Sequence, residues 1–394
     1  MTTKMKPAQR ILELPPYVFK RIDDKKRELA AAGTKLLNFG IGDPDLPTPD
    51  FVVEAMNRAM RDNANQKYPA YEGDIRFREA VARYMHDRFG VQADPRTEVM
   101  ALIGSKEGLA HFAWAFIDEN DVALVPDPAY PVYKTTTEFA GGEAHILPLL
   151  AKNGFLPDLS RVPDAIARRA KTLYINYPNN PTGAVASESD LAAIVEWARK
   201  HEVIIVSDAA YAELTYDPRD RRSILSIPGA KDVAIEFHSF SKIFNMTGWR
   251  IGFAVGNPAL IAGLLKLKTN VDSGVFDAIQ LACVSGLARV DAHLERLQET
   301  YRKRRDTMVT ILDECGIRYQ QPRGAFYVWA HCPDGITSEG FTMKLMEETG
   351  IVTTPGTGFG PHGEGYVRFA LTQSVETIEA IRPRLEKFRK SMTA

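Results

Sequence analysis

Ser239-Phe240-Ser241-Lys242, continuing through Met246-Thr247-Gly248-Trp249-Arg250, is the stretch on which the reading of this chain turns. It stands between two short apolar runs, Val233–Phe237 and Ile251–Val255, neither of which alternates apolar with polar residues along its length. Runs of that kind fit strands covered on both faces. A lysine that follows a strand, sits between hydroxyls and has an arginine eight residues on suits one task. It can condense with an aldehyde as a Schiff base while Ser239, Ser241 and Arg250 hold a phosphate nearby. Such an amine must be partly neutral, and burial beside other cations lowers a lysine's pKa. The same residues also fit a surface lysine between two loops, so the surrounding chain has to decide.

Working outward, Val99–Ile103, Val122–Val125, Thr172–Ile175 and Val203–Val206 read as further strands of the same buried kind. Amphipathic helical patterns fall between them at Lys106–Ile117, Tyr130–Phe139 and Glu188–Lys200. That alternation predicts an α/β fold with a mainly parallel sheet and helices on both faces. Ala259–Asn270 and Asp291–Cys315 read as long helices. Beyond Gly316 the order becomes strand Phe326–Ala330, helix Ser338–Thr349, strand Val367–Leu371 and a final helix near Val375–Lys390, which suggests a separate α+β domain. The expected division is a segment 1–50 that joins the small domain, a large domain 51–285 and a small domain 286–394.

Three more loops follow strands and carry polar groups. Val203-Ile204-Ile205-Val206-Ser207-Asp208 ends in a carboxylate, with Tyr211 three residues later. Ligands of open α/β sheets sit beyond the carboxyl ends of the strands, where an aspartate can pair with a protonated pyridine nitrogen. A helix-capping Asp is the plainer alternative. Tyr177-Pro178-Asn179-Asn180-Pro181-Thr182-Gly183 reads equally as a tight turn or as a loop that offers the Asn180 amide to a cofactor oxygen. Gly104-Ser105-Lys106-Glu107-Gly108 turns from strand to helix, and free N–H groups at a helix start can cradle phosphate.

Bulk properties remove other classes. The 394 residues carry a formal net charge of −1, which gives no general attraction to nucleic acid or to an anionic membrane. Three scattered cysteines form no C-x-x-C pair, so neither a disulfide framework nor a zinc cluster is expected. The eight histidines contain no H-E-x-x-H, and no metal is expected. Met1 to Pro16 has no continuous apolar core of a leader, and a cytoplasmic protein is expected. Gly358-Phe359-Gly360-Pro361-His362-Gly363 matches G-x-G-x-x-G, but Pro361 interrupts it and a strand follows, so it is not read as a dinucleotide site.

In this order, G-S-K, N-N-P-T-G, D-x-x-Y and S-x-S-K with its distal arginine, the chain resembles the class I/II, fold-type I aminotransferases that depend on pyridoxal 5′-phosphate (PLP). The resemblance runs from about Leu14 to the C-terminal helix and implies the PLP-dependent transferase fold of type I. It implies that Lys242 carries the cofactor and then serves as the base of the proton shift. Asp208 would pair with the ring nitrogen, while Tyr211 and Asn180 would bond the phenolic oxygen. Tyr130 would stack on the ring, and Ser105, Lys106, Ser239, Ser241 and Arg250 would form the phosphate cup. Tyr68 would reach the phosphate of a second subunit, which implies a homodimer. Arg368 would grip the substrate α-carboxylate, with Ile41 and Gly42 in the loop that closes over it. The substrates implied are amino acids and 2-oxo acids.

Within the family, Leu14-Pro15-Pro16-Tyr17, Gly40-Ile41-Gly42-Asp43-Pro44-Asp45 and Asn270-Val271-Asp272-Ser273-Gly274 are most similar to the bacterial LL-diaminopimelate branch, with the alanine–glutamate branch its neighbour. Plant-type members of the former carry Ala-Glu-Gln-Gly where this chain has Ala70-Tyr71-Glu72-Gly73. The candidates for the distal end of such a substrate are Tyr17, Lys106, and Tyr71 and Glu72 contributed from the neighbouring subunit, with Glu72 chosen for a distal ammonium, although a solvated loop glutamate is at least an equal alternative. A PLP lyase would share the cofactor residues. A PLP-binding regulator would need a DNA-binding module for which the chain before Leu14 has no room.

Overall fold

The computed structural model describes residues 5–14 and 20–393. Among the described residues thirteen strands form: β1 (Leu37–Asn38), β2 (Val99–Leu102), β3 (Val122–Asp127), β4 (Glu143–Pro148), β5 (Ala170–Ile175), β6 (Ile204–Asp208), β7 (Ala234–Ser239), β8 (Gly252–Gly256), β9 (Tyr319–Gln320), β10 (Tyr327–His331), β11 (Ile351–Val352), β12 (Thr354–Pro355) and β13 (Tyr366–Ala370). The large sheet has the order β2-β8-β7-β6-β5-β3-β4. Its strands run parallel from β7 to β4, while β8 is antiparallel to both neighbours. The expected α/β architecture with a mainly parallel sheet is therefore the one observed.

Residues along each strand sort alternately onto the two faces. Met100, Leu102, Ala123, Val125, Val206, Ile235 and Phe237 pack against helices Ser105–Phe116, Val132–Phe139 and Pro258–Val271. Val99, Ala101, Leu124, Leu173, Ile205 and Ala234 face helices Ile75–Phe89, Glu188–His201 and Asp277–Leu287. Both faces being covered explains why these strands lack polar alternation, and each large side chain buried this way contributes about 1.5–3 kcal/mol. Helix Glu188–His201 illustrates the local code. Ser187 and Asp190 cap each other's backbone reciprocally, and Arg199, Lys200 and His201 occupy the last turn, where cations favour the helix dipole.

Two expectations need correction. β4 was not anticipated, because Glu143-Ala144-His145-Ile146-Leu147-Pro148 is an edge strand, largely half-exposed, without the unbroken apolar run of its neighbours. The single C-terminal helix is two, Val375–Glu379 and Arg382–Thr393. Pro383 has no N–H to donate back to Glu379, so it can begin a helix but not continue one.

The N-terminal β1 pairs in parallel with β11, and β12-β13-β10-β9 form an antiparallel sheet. A buried carboxylate then joins separate parts of the chain. Glu213, 1% exposed, accepts from Tyr84 Oη at 3.0 Å and from Arg88 Nε and Nη2 at 2.8 and 2.7 Å. Its carbonyl accepts from Gln298 on the long helix Val290–Glu314. Replacing it would strand a partly buried guanidinium whose remaining carboxylate partner, Asp291, is mostly exposed. Glu213→Leu is expected to cost about 3–5 kcal/mol, read as a lower urea midpoint with an unchanged m-value.

Candidate active site

Sheet topology gathers the polar residues at one edge. Asp208 ends β6 and Ser239 ends β7. The Ser239 hydroxyl accepts the Ser241 N–H at 3.2 Å and starts the short helix Phe240–Ile243 that carries Lys242. Because β8 runs against β7, its beginning lies at the same edge, and Arg250 enters there in the left-handed conformation with φ 56°. Gly104, with φ +80°, lies against the Arg250 guanidinium, which any side chain at that position would strike. Ser105 then opens helix Ser105–Phe116.

One cavity of about 350 Å³ is lined by Gly42, Ser105, Lys106, Tyr130, Asn180, Asp208, Tyr211, Ser239, Ser241, Lys242, Arg250 and Arg368. A second of about 750 Å³ adjoins it, sharing Gly42, Lys106, Tyr130, Asn180 and Arg368 and adding Ile41. Twelve expected residues are thus brought together in the first cavity and Ile41 in its neighbour. Tyr68 and Glu72 are not on either: Tyr68 is 93% exposed, and the half-exposed Glu72 carboxylate lies 3.8 Å from Arg78 of its own chain. Tyr17 lies outside the described residues.

Burial dominates the electrostatics. It pushes the Lys242 amine down to about 8, a shift that Asp43 and Asp208 oppose and the Arg368 and Arg250 charges reinforce. Its Nζ donates to the Gly42 carbonyl at 3.0 Å. Burial also raises the Asp208 carboxyl, against the pull of the Tyr133 hydroxyl, which donates to Oδ2 at 2.7 Å, and of the Ala210 N–H on Oδ1 at 3.2 Å. Tyr211 and Tyr327 join hydroxyls at 2.8 Å, and desolvation raises both phenols. Arg368, buried, donates to Asn180 Oδ1 and to the Gly40 carbonyl, each at 2.8 Å, while its Nε has no partner among the described residues. Tyr327 and Phe359 flank its guanidinium at 4.2 and 4.7 Å.

Sequence reasoning missed three supports. Tyr133 lies in helix Val132–Phe139, and its ring meets that of Tyr130, just before the helix, edge-on at 6.1 Å; the helical pattern expected over Tyr130–Phe139 would put the two aromatics on one face and could have signalled it. Asn176 immediately follows β5. Its Nδ2 donates to the Asp208 carbonyl at 2.7 Å and its Oδ1 accepts the Asn180 N–H at 2.8 Å. Tyr327, on β10, had no motif to mark it.

The donor set fits a phosphate-bearing pyridine aldehyde. Asp208 is held only by neutral donors, and Arg368 only by neutral acceptors. Among the described residues no carboxylate forms an ion pair with Lys242, Arg250 or Arg368. Hydroxyls with a guanidinium suit a phosphate, a buried carboxylate suits a protonated ring nitrogen, and a second guanidinium suits a carboxylate, with an amine of depressed pKa between them.

The chain matches the family described as aminotransferase class I and II over residues 34–385. It is 51% identical over 383 residues to a protein of Nitratidesulfovibrio vulgaris strain DP4 named LL-diaminopimelate aminotransferase, covering 97% of this chain and 99% of that one. Substrate-bound BacF from Bacillus subtilis superposes with a TM-score of 0.93 at 34% identity, covering 98% of both chains. A Thermus thermophilus aspartate aminotransferase mutant superposes with a TM-score of 0.91 at 30% identity, covering 97% of this chain and 99% of that one. Sequence and fold lead to one conclusion: the chain belongs to the class I and II aminotransferases, enzymes that depend on pyridoxal 5′-phosphate.

Proposed function

We propose that this aminotransferase moves an amino group between L-glutamate/2-oxoglutarate and LL-diaminopimelate/tetrahydrodipicolinate, on the route to lysine and cell-wall precursors. The observation that carries the chemistry is one lysine of depressed pKa set among a buried carboxylate and two guanidinium groups that form no ion pair with an acid among the described residues. The substrate assignment is supported by the name of the relative at 51% identity. Three unpaired, buried thiols accord with the reducing cytoplasm.

In this reading Ser105, Lys106, Ser239, Ser241 and Arg250 hold the phosphate, Tyr130 lies against the ring, and Asn180 with Tyr211 faces its phenolic oxygen. When bound, PLP supplies the aldehyde that takes the amino group and a ring that accepts the electron pair released at the substrate Cα. Asp208 keeps a negative charge beside the ring nitrogen and so favours its protonated form. Lys242 would form the link to the aldehyde and, once released, carry a proton on Nζ between the substrate Cα and the carbon that had been the aldehyde's. Arg368 binds the α-carboxylate through its unengaged edge, and Ile41 and Gly42 screen that contact from water. We further infer a homodimer in which Tyr68, almost wholly exposed in one subunit, completes the partner subunit's phosphate site. Glu72 would read the distal ammonium in the same manner. Its approach to Arg78 favours the second reading, an alanine–glutamate enzyme in which that carboxylate has only a local role.

Three outcomes test this. With PLP removed, the rate at which Lys242 captures added PLP should rise with pH and level off above about 8, because only about a tenth of the amine is neutral at pH 7. An ordinary lysine would still be gaining reactivity toward 10.5, and borohydride fixation followed by peptide mapping reports which lysine reacted. Asp208→Asn should lower kcat about a hundredfold, or ~3 kcal/mol, while the visible absorbance shows the cofactor retained. In assays with 2-oxoglutarate, LL-diaminopimelate should outperform alanine and aspartate as donor, and Glu72→Gln should weaken it alone by about 1.5–3 kcal/mol. Faster turnover of alanine by the wild type would establish the alanine–glutamate reading instead.

A further inference from the structure

The loop that follows β1 is held by the carbonyls of three consecutive residues. The Gly40 carbonyl accepts from Arg368 Nη2 at 2.8 Å and from Thr354 Oγ1 at 2.7 Å. Ile41 accepts from Thr372 Oγ1 at 2.9 Å, and Gly42 accepts from Lys242 Nζ at 3.0 Å. Two of these four donors are thus the charged groups of the site itself. Farther along, Thr48 Oγ1 donates to the Asn245 carbonyl, three residues beyond Lys242.

Between those ends sits Asp45, whose two carboxylate oxygens accept from Nη1 and Nη2 of Arg304 at 2.6 and 2.7 Å. Arg304 is 3% exposed, far from solvent on helix Val290–Glu314, and also donates to the Leu371 carbonyl at 3.1 Å. Its guanidinium lies 5.5 Å from the Tyr301 ring. Tyr301 stacks on Phe326 at 5.1 Å, and Lys242 Nζ lies 5.5 Å from the Phe326 ring. One buried arginine therefore pairs with the loop whose Gly42 carbonyl meets Lys242 and also lies against the aromatic row that Lys242 faces. Asp45 closes the Gly40–Asp45 stretch quoted above, but Arg304 belongs to no sequence motif, and neither residue lines the cofactor cavity.

Arg368 explains why the loop's height matters. A guanidinium has five N–H donors in a plane, and two acceptors, Asn180 Oδ1 and Gly40 O, define the rotation of that plane. The remaining Nε and outer N–H groups then point where a carboxylate can meet them in a paired contact. Should Gly40 drift, the plane loses one of its two references.

We infer that Arg304, through its paired contact with Asp45, is a positioning residue for substrate-carboxylate binding: it sets the Gly40–Asp45 loop, which sets the Arg368 plane. This rests on reading Arg368 as the α-carboxylate group. A bare staple between helix and loop would affect stability alone, so the test separates the two in the PLP-loaded enzyme. Arg304→Gln and Asp45→Asn should each raise KM for glutamate and for 2-oxoglutarate together by about tenfold, with kcat less affected. Amide exchange should quicken across residues 40–45, and Arg304→Lys, which keeps the charge but loses the fork, should fall between. Combined with Arg368→Lys, either substitution should add little further, because both act through one guanidinium.

Folded Asp45→Asn enzyme with wild-type KM values would overturn the inference, even if Arg304→Gln fails to fold. So would KM effects that multiply with those of Arg368→Lys, or a loss of thermal stability with KM and loop exchange unchanged. If Arg368→Lys itself leaves KM unaltered, the carboxylate reading is the one that fails, and the positioning role falls with it.

Discussion

Buried charge held without an ion-pair partner is the constraint on which this molecule depends. Among the described residues, Arg368, buried between Tyr327 and Phe359, has only carbonyl and amide oxygens as hydrogen-bond partners, and buried Asp208 has only a phenol and a backbone N–H, with the Lys242 charge acting on it without an ion pair. Isolating either group from water costs several kcal/mol unless polar contacts compensate. The neighbours compensate by donating or accepting without neutralising: Tyr133 and Ala210 for the carboxylate, Asn180 and Gly40 for the guanidinium. Each charge is thereby left without an ion-pair partner among the described residues.

Strand direction supplies the rest. In the parallel run β7-β6-β5-β3 every strand delivers its carboxyl end to the same edge, so Asp208, Ser239 and the Asn176–Asn180 turn converge without special arrangement. Reversed β8 delivers its beginning to that edge instead, which lets Arg250 face Lys242 through one short excursion of chain. β2, reversed again, points its end there and presents Gly104 and Ser105. Groups beside six strands of the large sheet, Tyr130 after β3 among them, reach a cavity of about 350 Å³, and Ser105 and Lys106 at the start of helix Ser105–Phe116 line it, where a helix start suits an anion.

Much of this could be read from residues alone, for a physical reason. A strand covered on both faces shows as an unbroken apolar run, and the polar residue that ends it marks the sheet's working edge, as at Val203–Asp208. The edge strand β4 hid because one side of it meets solvent, and Pro383 divided a helix whose apolar period continues across the break. Tyr133 and Asn176 escaped because their work is to hold other functional groups, and a supporting hydrogen bond leaves no pattern of spacing. Arg304 is harder still: it meets Asp45 across 259 positions of chain, a separation no local reading spans. Tyr17 belongs to residues the structure does not describe, so its expected place near the substrate stays a matter of resemblance.

The antiparallel strand also bears on how such a protein can diverge. Lys242 and Arg250 belong to one uninterrupted stretch whose length is dictated by the turn from β7 into β8, so an insertion or deletion there would shift one relative to the other. Arg368 and Tyr327 come from a different sheet, and Ile41 and Gly42 from a loop before the large sheet begins. Inheritance can therefore conserve one half of the cavity as a fixed cassette while the other half accumulates change, and lineages that share a cofactor can part company over what they bring to it.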